Sequence, residues 1–155
     1  MFKSVVFNVL VLITYVNSQN SNPGQHRRAL VNVIRAFSGL CANTTGLNLD
    51  SCIMMLEAED GTEWNSCLTT GGFTDNAGFL TAACDAQRNI RTMIACVRSA
   101  ARTNWRNERR RIITATRSLR PRQRRTQRRQ MRNDYFSPKI TAANNAQACL
   151  TVLAG

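Results

Sequence analysis

The chain has 155 residues, 43% hydrophobic and only 6% aromatic, with a formal net charge of +12. That leaves room for one domain with a modest core, and the small, aromatic-poor side chains call for close helix packing reinforced by covalent staples. Nineteen of the 21 basic residues are arginine and a single histidine, His26, is present, with no Gly-rich phosphate loop and no nucleophile motif. These absences remove the usual constellations of catalysis and cofactor binding, so the chain reads as non-enzymatic, with no cofactor and no metal.

At the N-terminus, Lys3 supplies a positive start, Val5 to Val16 is an apolar run broken only by Asn8 and Thr14, and Val16-Asn17-Ser18 offers small residues for cleavage before Gln19. The pattern predicts a secretory signal peptide over residues 1–18, because about twelve apolar residues fall short of the roughly twenty that span a bilayer. Residues 19–155 then form a single secreted helical domain, with no transmembrane segment in the mature chain.

Export puts Cys41, Cys52, Cys67, Cys84, Cys96 and Cys149 in an oxidising compartment as an even set, which predicts three disulfides with the connectivity left open. Metal ligation has less support, since there is no Cys-x-x-Cys pair. The interval from Cys52 to Cys67 differs from that of insect odorant-binding proteins, which share the chain's size and cysteine number, so no family is assigned.

Asn22-Pro23 is a helix cap and first position, followed by Leu30, Val33, Ile34, Phe37, Leu40 and Cys41 at helical spacing. His26, near the new terminus, is expected at the surface. Asn43-Thr44-Thr45 fits the acceptor pattern for N-glycosylation in a turn-forming segment. A second helix is predicted over about residues 47–58, ending at Asp60-Gly61. Glu57, Glu59, Asp60 and Glu63 read as solvated helix ends or as internal partners for some arginines. A third helix carries Trp64, Cys67 and Leu68 to Gly71-Gly72, and Thr74-Asp75 caps a fourth holding Phe79, Leu80, Ala83 and Cys84.

A break near Asp85 precedes the stretch around which the chain is organised. Between Arg98 and Arg132, fourteen arginines face one acid, Glu108. Ile90, Ile94, Val97, Ala101, Trp105, Ile112, Ala115 and Leu119 recur at helical steps and define an inward stripe at roughly 320° to 40° around the axis. Arg88, Arg91, Arg98, Arg102, Arg106, Arg109, Arg110, Arg117 and Arg120 fall together at roughly 60° to 180°, with Arg111 alone on the other flank. Like charges at i, i+4 repel by a few tenths of a kcal/mol, so such a band points to an anionic partner outside the helix. Arginine's planar fork suits phosphate, carboxylate and sulfate.

The helix is expected to end before Pro121. Residues 121–136 contain Arg122, Arg124, Arg125, Arg128, Arg129 and Arg132, and from Arg122 to Arg132 there is almost no apolar residue to hold the chain to a core, which predicts a mobile basic arm. Arg122-Gln123-Arg124-Arg125 also fits a convertase processing site ending at Arg125. Ser137-Pro138 is expected to cap a last helix that carries Cys149.

The fold class is therefore all-α, a small disulfide-stapled bundle of about four to six helices with one long Arg-rich amphipathic helix. Residues 19–96 carry five basic and seven acidic side chains, and residues 97–155 carry fifteen and two. A near-neutral body bearing a cationic helix attracts polyanions by counterion release. The expected partners are extracellular: sulfated glycosaminoglycans, anionic matrix or mineral, nucleic acid, or an anionic membrane surface. Convertase-processed signalling and membrane-active defence are the alternative functions.

Overall fold

The computed structural model describes residues 21–155. Those residues form six α-helices, α1 (Pro23–Gly39), α2 (Leu49–Ile53), α3 (Ala58–Thr70), α4 (Asn76–Asp85), α5 (Gln87–Ala115) and α6 (Pro121–Leu153), with a 3₁₀ turn at Leu40–Ala42 and no strand among them. The expected signal peptide, residues 1–18, lies outside the described residues.

Local chemistry sets most of the helix starts. Asn22 Oδ1 accepts from the backbone N–H groups of Gly24 (2.9 Å) and Gln25 (3.0 Å), while Gln25 Oε1 accepts from Asn22 N–H, closing a capping box on α1. Asp75 Oδ1 accepts from Gly78 N–H to start α4, and Ala86, in an extended conformation, separates α4 from α5 at the expected break. Gly72 turns with φ of +77°, which favours glycine, and Phe73 N–H then bonds Leu68 O to finish α3.

The second helix departs from expectation. It is a single turn, Leu49–Ile53, and Asp60-Gly61 lies in the first turn of α3 instead of ending a helix. Acidic Glu59 and Asp60 are favoured at a helix N-terminus, where the backbone N–H groups lack partners, and this outweighs glycine's weak helix propensity.

Helix α1 is the central element and packs against α4, α5 and α6. Its Phe37, fully buried, meets Trp64 of α3 at 5.8 Å and Phe79 of α4 at 5.0 Å between ring centroids. Trp64 Nε1 donates to Asn76 Oδ1, and Asn76 Nδ2 donates to Asp50 Oδ1, so the indole N–H is satisfied inside the core. The six cysteines pair as Cys41–Cys84, Cys52–Cys149 and Cys67–Cys96. The last ties α3 to the side of α5 that carries buried Met93.

Residues 121–136 are the main correction. They form the first half of α6, not a mobile arm, and Pro138 lies inside that helix instead of opening a new one. A polar interface holds residues 121–132, which carry almost no apolar side chain, and buried Phe136 anchors the end of the segment. Arg124 donates to the carbonyls of Arg117 (3.0 Å) and Leu119 (2.9 Å), and Arg128 Nε donates to Thr116 Oγ1 (2.8 Å). An internal proline costs about 3 kcal/mol in a helix. Buried Phe136 and Lys139 on either side of Pro138 hold the chain in place against that cost.

Candidate cationic interface

Helix α5 ends at Ala115, and residues 116–120 turn the chain back as α6. Arg117 and Arg120 therefore sit in the turn, outside the helical band expected to contain them. Ala115, assigned to the inward stripe, is exposed, and Thr116 is the buried residue there, its hydroxyl donating to Ile112 O. The stripe otherwise holds within the helix: Ile90, Val97, Ala101 and Ile112 are buried, and Ile94 and Trp105 are half-buried, while Leu119, also half-buried, lies in the turn.

Arg88, Arg91, Arg98, Arg102, Arg106, Arg109 and Arg110 are all exposed on α5, and no ion pair within the described residues neutralises them. The only arginine ion pair there is Arg111 with Glu108, a two-pronged contact at 2.7 and 2.6 Å that raises the guanidinium pKa, chiefly through the hydrogen bond. Glu108, the one acid in the stretch, is thus satisfied by the one arginine on the opposite flank. Helical rotation lines up Arg91, Arg98, Arg102 and Arg109 on one side of α5, over a rise of about 27 Å.

Helix α6 divides its arginines by face. Arg122, Arg125 and Arg129 are exposed, while Arg124, Arg128 and Arg132 are half-buried toward α5. A cleft of 680 Å³ opens between the two helices, lined by Arg109 from α5 and by Arg125, Arg128, Arg129 and Arg132 from α6 over Trp105, Ile112 and Ile113. No acid lines it. Arg132 Nε is buried and has no hydrogen-bond acceptor among the described residues. The cleft could have been read from the sequence, since residues 125, 129 and 132 recur at helical steps once the segment is taken as helix.

Beneath this surface lies a charged cluster that sequence reasoning missed. His26 is 2% exposed, not a surface residue; its Nε2 is 2.7 Å from Asp60 Oδ2, and Lys139 Nζ is 3.3 Å from Asp60 Oδ1 and 2.7 Å from Glu59 Oε2. The acidic cluster is thus in part an internal partner, but for His26 and Lys139, not for the arginine band. Tyr135 OH donates to the same Glu59 oxygen at 2.7 Å. Burial, and then this bond, push the Tyr135 pKa well above its ordinary value. Trp105, Tyr135, Phe136 and His26 form an aromatic seam, with Trp105 and Phe136 centroids 4.9 Å apart.

Asn43 is exposed in the loop before α2, beside the Cys41–Cys84 bridge. The described residues contain no group of three or more His, Cys, Asp or Glu side chains able to hold a metal ion, and no helix long and apolar enough to cross a membrane. Comparison with known proteins finds no family, no curated protein and no solved structure that matches the chain.

Proposed function

We propose that the protein is a secreted polyanion-binding protein that engages sulfated glycans, anionic matrix or mineral, or nucleic acid through the arginine face of α5 and the facing half of α6. The observation that carries this reading is the row Arg91, Arg98, Arg102 and Arg109, exposed and without an acid partner among the described residues, on a helix whose adjoining apolar face is anchored in the core. Holding like charges in a row on a rigid element opposes folding, and an external polyanion relieves that repulsion. The extracellular setting rests on the N-terminal segment and the three disulfides.

Two observations weigh against the alternatives. Arg125 lies within helix α6, which would have to unwind to enter a convertase as an extended segment. The apolar side of α5 is committed to the core, which leaves little of it for insertion in a bilayer. Affinity capture of the secreted protein on immobilised extracellular polyanions and on anionic liposomes tests the proposal. Binding ranked by sulfate or phosphate density supports it, and binding to liposomes alone refutes it.

A further inference from the structure

The cleft between α5 and α6 differs in kind from the exposed row. The row offers charge along a convex helix surface, whereas the cleft brings guanidinium groups from two helices around one concave volume with an apolar floor. Its 680 Å³ matches pockets that enclose a small ligand or one segment of a chain. Half-buried Arg132 has its Nε out of solvent with no acceptor among the described residues, in a lining that contains no acid. That Nε is closed to solvent, so an anion in the cleft would meet the guanidinium ends that line it.

We infer that this cleft is a subsite for one or two sulfated sugar units, where a glycan chain is anchored before running along the row on α5. The inference rests on the polyanion reading and names its ligand. Shared chemistry alone would admit sulfate or phosphate esters, since both meet an arginine fork in the same way. The floor separates them. Single-stranded nucleic acid is held by bases stacked on open aromatic faces. The one aromatic among the described residues that line the cleft, Trp105, is already packed against Tyr135 and Phe136, with centroids at 6.2 and 4.9 Å. Trp105, Ile112 and Ile113 instead offer an uneven apolar bed that suits the C–H face of a saturated ring, while Arg129 and Arg132 reach its sulfates. Arg109 belongs to both the cleft and the row, so an occupant of the cleft can continue along α5 toward Arg102 and Arg98.

The test uses the full secreted chain and two probes, a highly sulfated heparin tetrasaccharide and unfractionated heparin. The Arg129→Gln/Arg132→Gln double variant leaves the Arg124 and Arg128 hydrogen bonds untouched, and Arg98→Gln/Arg102→Gln removes the same charge from the row. Ile113→Glu, at a position 41% exposed, adds a negative charge to the floor without opening the core. The tetrasaccharide is expected to lose at least tenfold in affinity with the cleft double variant and with Ile113→Glu, and less than threefold with the row variant. Circular dichroism before binding shows that each variant is folded. Equal losses in the cleft and row variants overturn the inference. So does wild-type binding of long heparin without binding of the tetrasaccharide, which leaves the polyanion reading standing. Tighter binding of a charge-matched DNA oligonucleotide at the cleft overturns the assignment to sulfated sugar, and failure of the wild type to bind either heparin probe removes the polyanion reading as well.

Discussion

His26 Nε2 and Asp60 Oδ2 lie 2.7 Å apart with both residues at most 5% exposed, joining α1 to α3 through a contact that also holds Lys139 of α6. Removing Asp60 takes from buried His26 its hydrogen-bond partner and leaves buried Lys139 with Glu59 alone. Asp60→Ala is therefore expected to destabilise the fold by about 3 to 5 kcal/mol, whereas Glu57→Ala, at an exposed position, should change stability by no more than about 0.5 kcal/mol. Urea denaturation of the two variants checks the contrast, and a similar midpoint for both would show that the cluster contributes no cohesion.

Tyr135 gives the fold an alkaline limit. Its phenol is held protonated in the folded chain, by burial first and then by its bond to Glu59, while an unfolded tyrosine ionises near its ordinary pKa of about 10. Below that pH both states carry the proton and stability is unaffected. Above it the unfolded state gains by ionising and the folded state does not, so stability should fall as pH rises past about 10. Thermal melts across that range should show the decline, and Tyr135→Phe should flatten it. Tyrosinate absorbance that rises near pH 10 without any loss of helix would contradict this account.

The disulfides should differ in worth. Cys52–Cys149 closes a separation of 97 residues and Cys67–Cys96 one of 29. Loop entropy alone then makes removal of the first pair costlier by about 1 kcal/mol. Double alanine variants compared by denaturant midpoint measure this. The same long bridge means that a chain cut after Arg125 keeps its C-terminal piece until it is reduced, and gel mobility with and without reductant would show it.

Arg124 closes the end of the α5 unit by donating to the carbonyls of Arg117 and Leu119. Arg124→Gln is expected to cost about 1.5 to 3 kcal/mol of local stability, the range for hydrogen bonds to a charged group, while Arg122→Gln costs less than about 0.5 kcal/mol. Hydrogen exchange over residues 121–130 should accelerate in the first variant only. Rapid exchange there in the wild type would restore the mobile arm.

These corrections show where the sequence was legible. The stripe on α5 and the cap at Asn22 follow from periodicity and local hydrogen bonding, so both were readable from the chain. The order of residues 121–136 was not, because it depends on arginines bonding to backbone carbonyls and to Thr116 across a turn. Apolar spacing is silent about such contacts. His26 misled for a related reason: a lone histidine near a terminus carries no pattern, and its partners Asp60 and Lys139 stand 34 and 113 residues away in sequence. Lys139 did carry a signal as the only lysine among the described residues, in a region where every other cation is arginine.

The central claim is that an ordered row of arginines, and not net charge, binds the polyanion. The most direct measurement is the salt dependence of heparin affinity for two variants of equal charge, one with Arg98, Arg102 and Arg109 changed to glutamine and one with Arg27, Arg28 and Arg35 changed on α1. If the row is the site, its variant loses roughly 0.5 to 1 kcal/mol per arginine and its log–log salt slope falls by about 2 to 3, while the α1 variant keeps most of both. Equal losses of affinity and slope in the two variants would contradict the account and reduce the protein to a diffuse polycation.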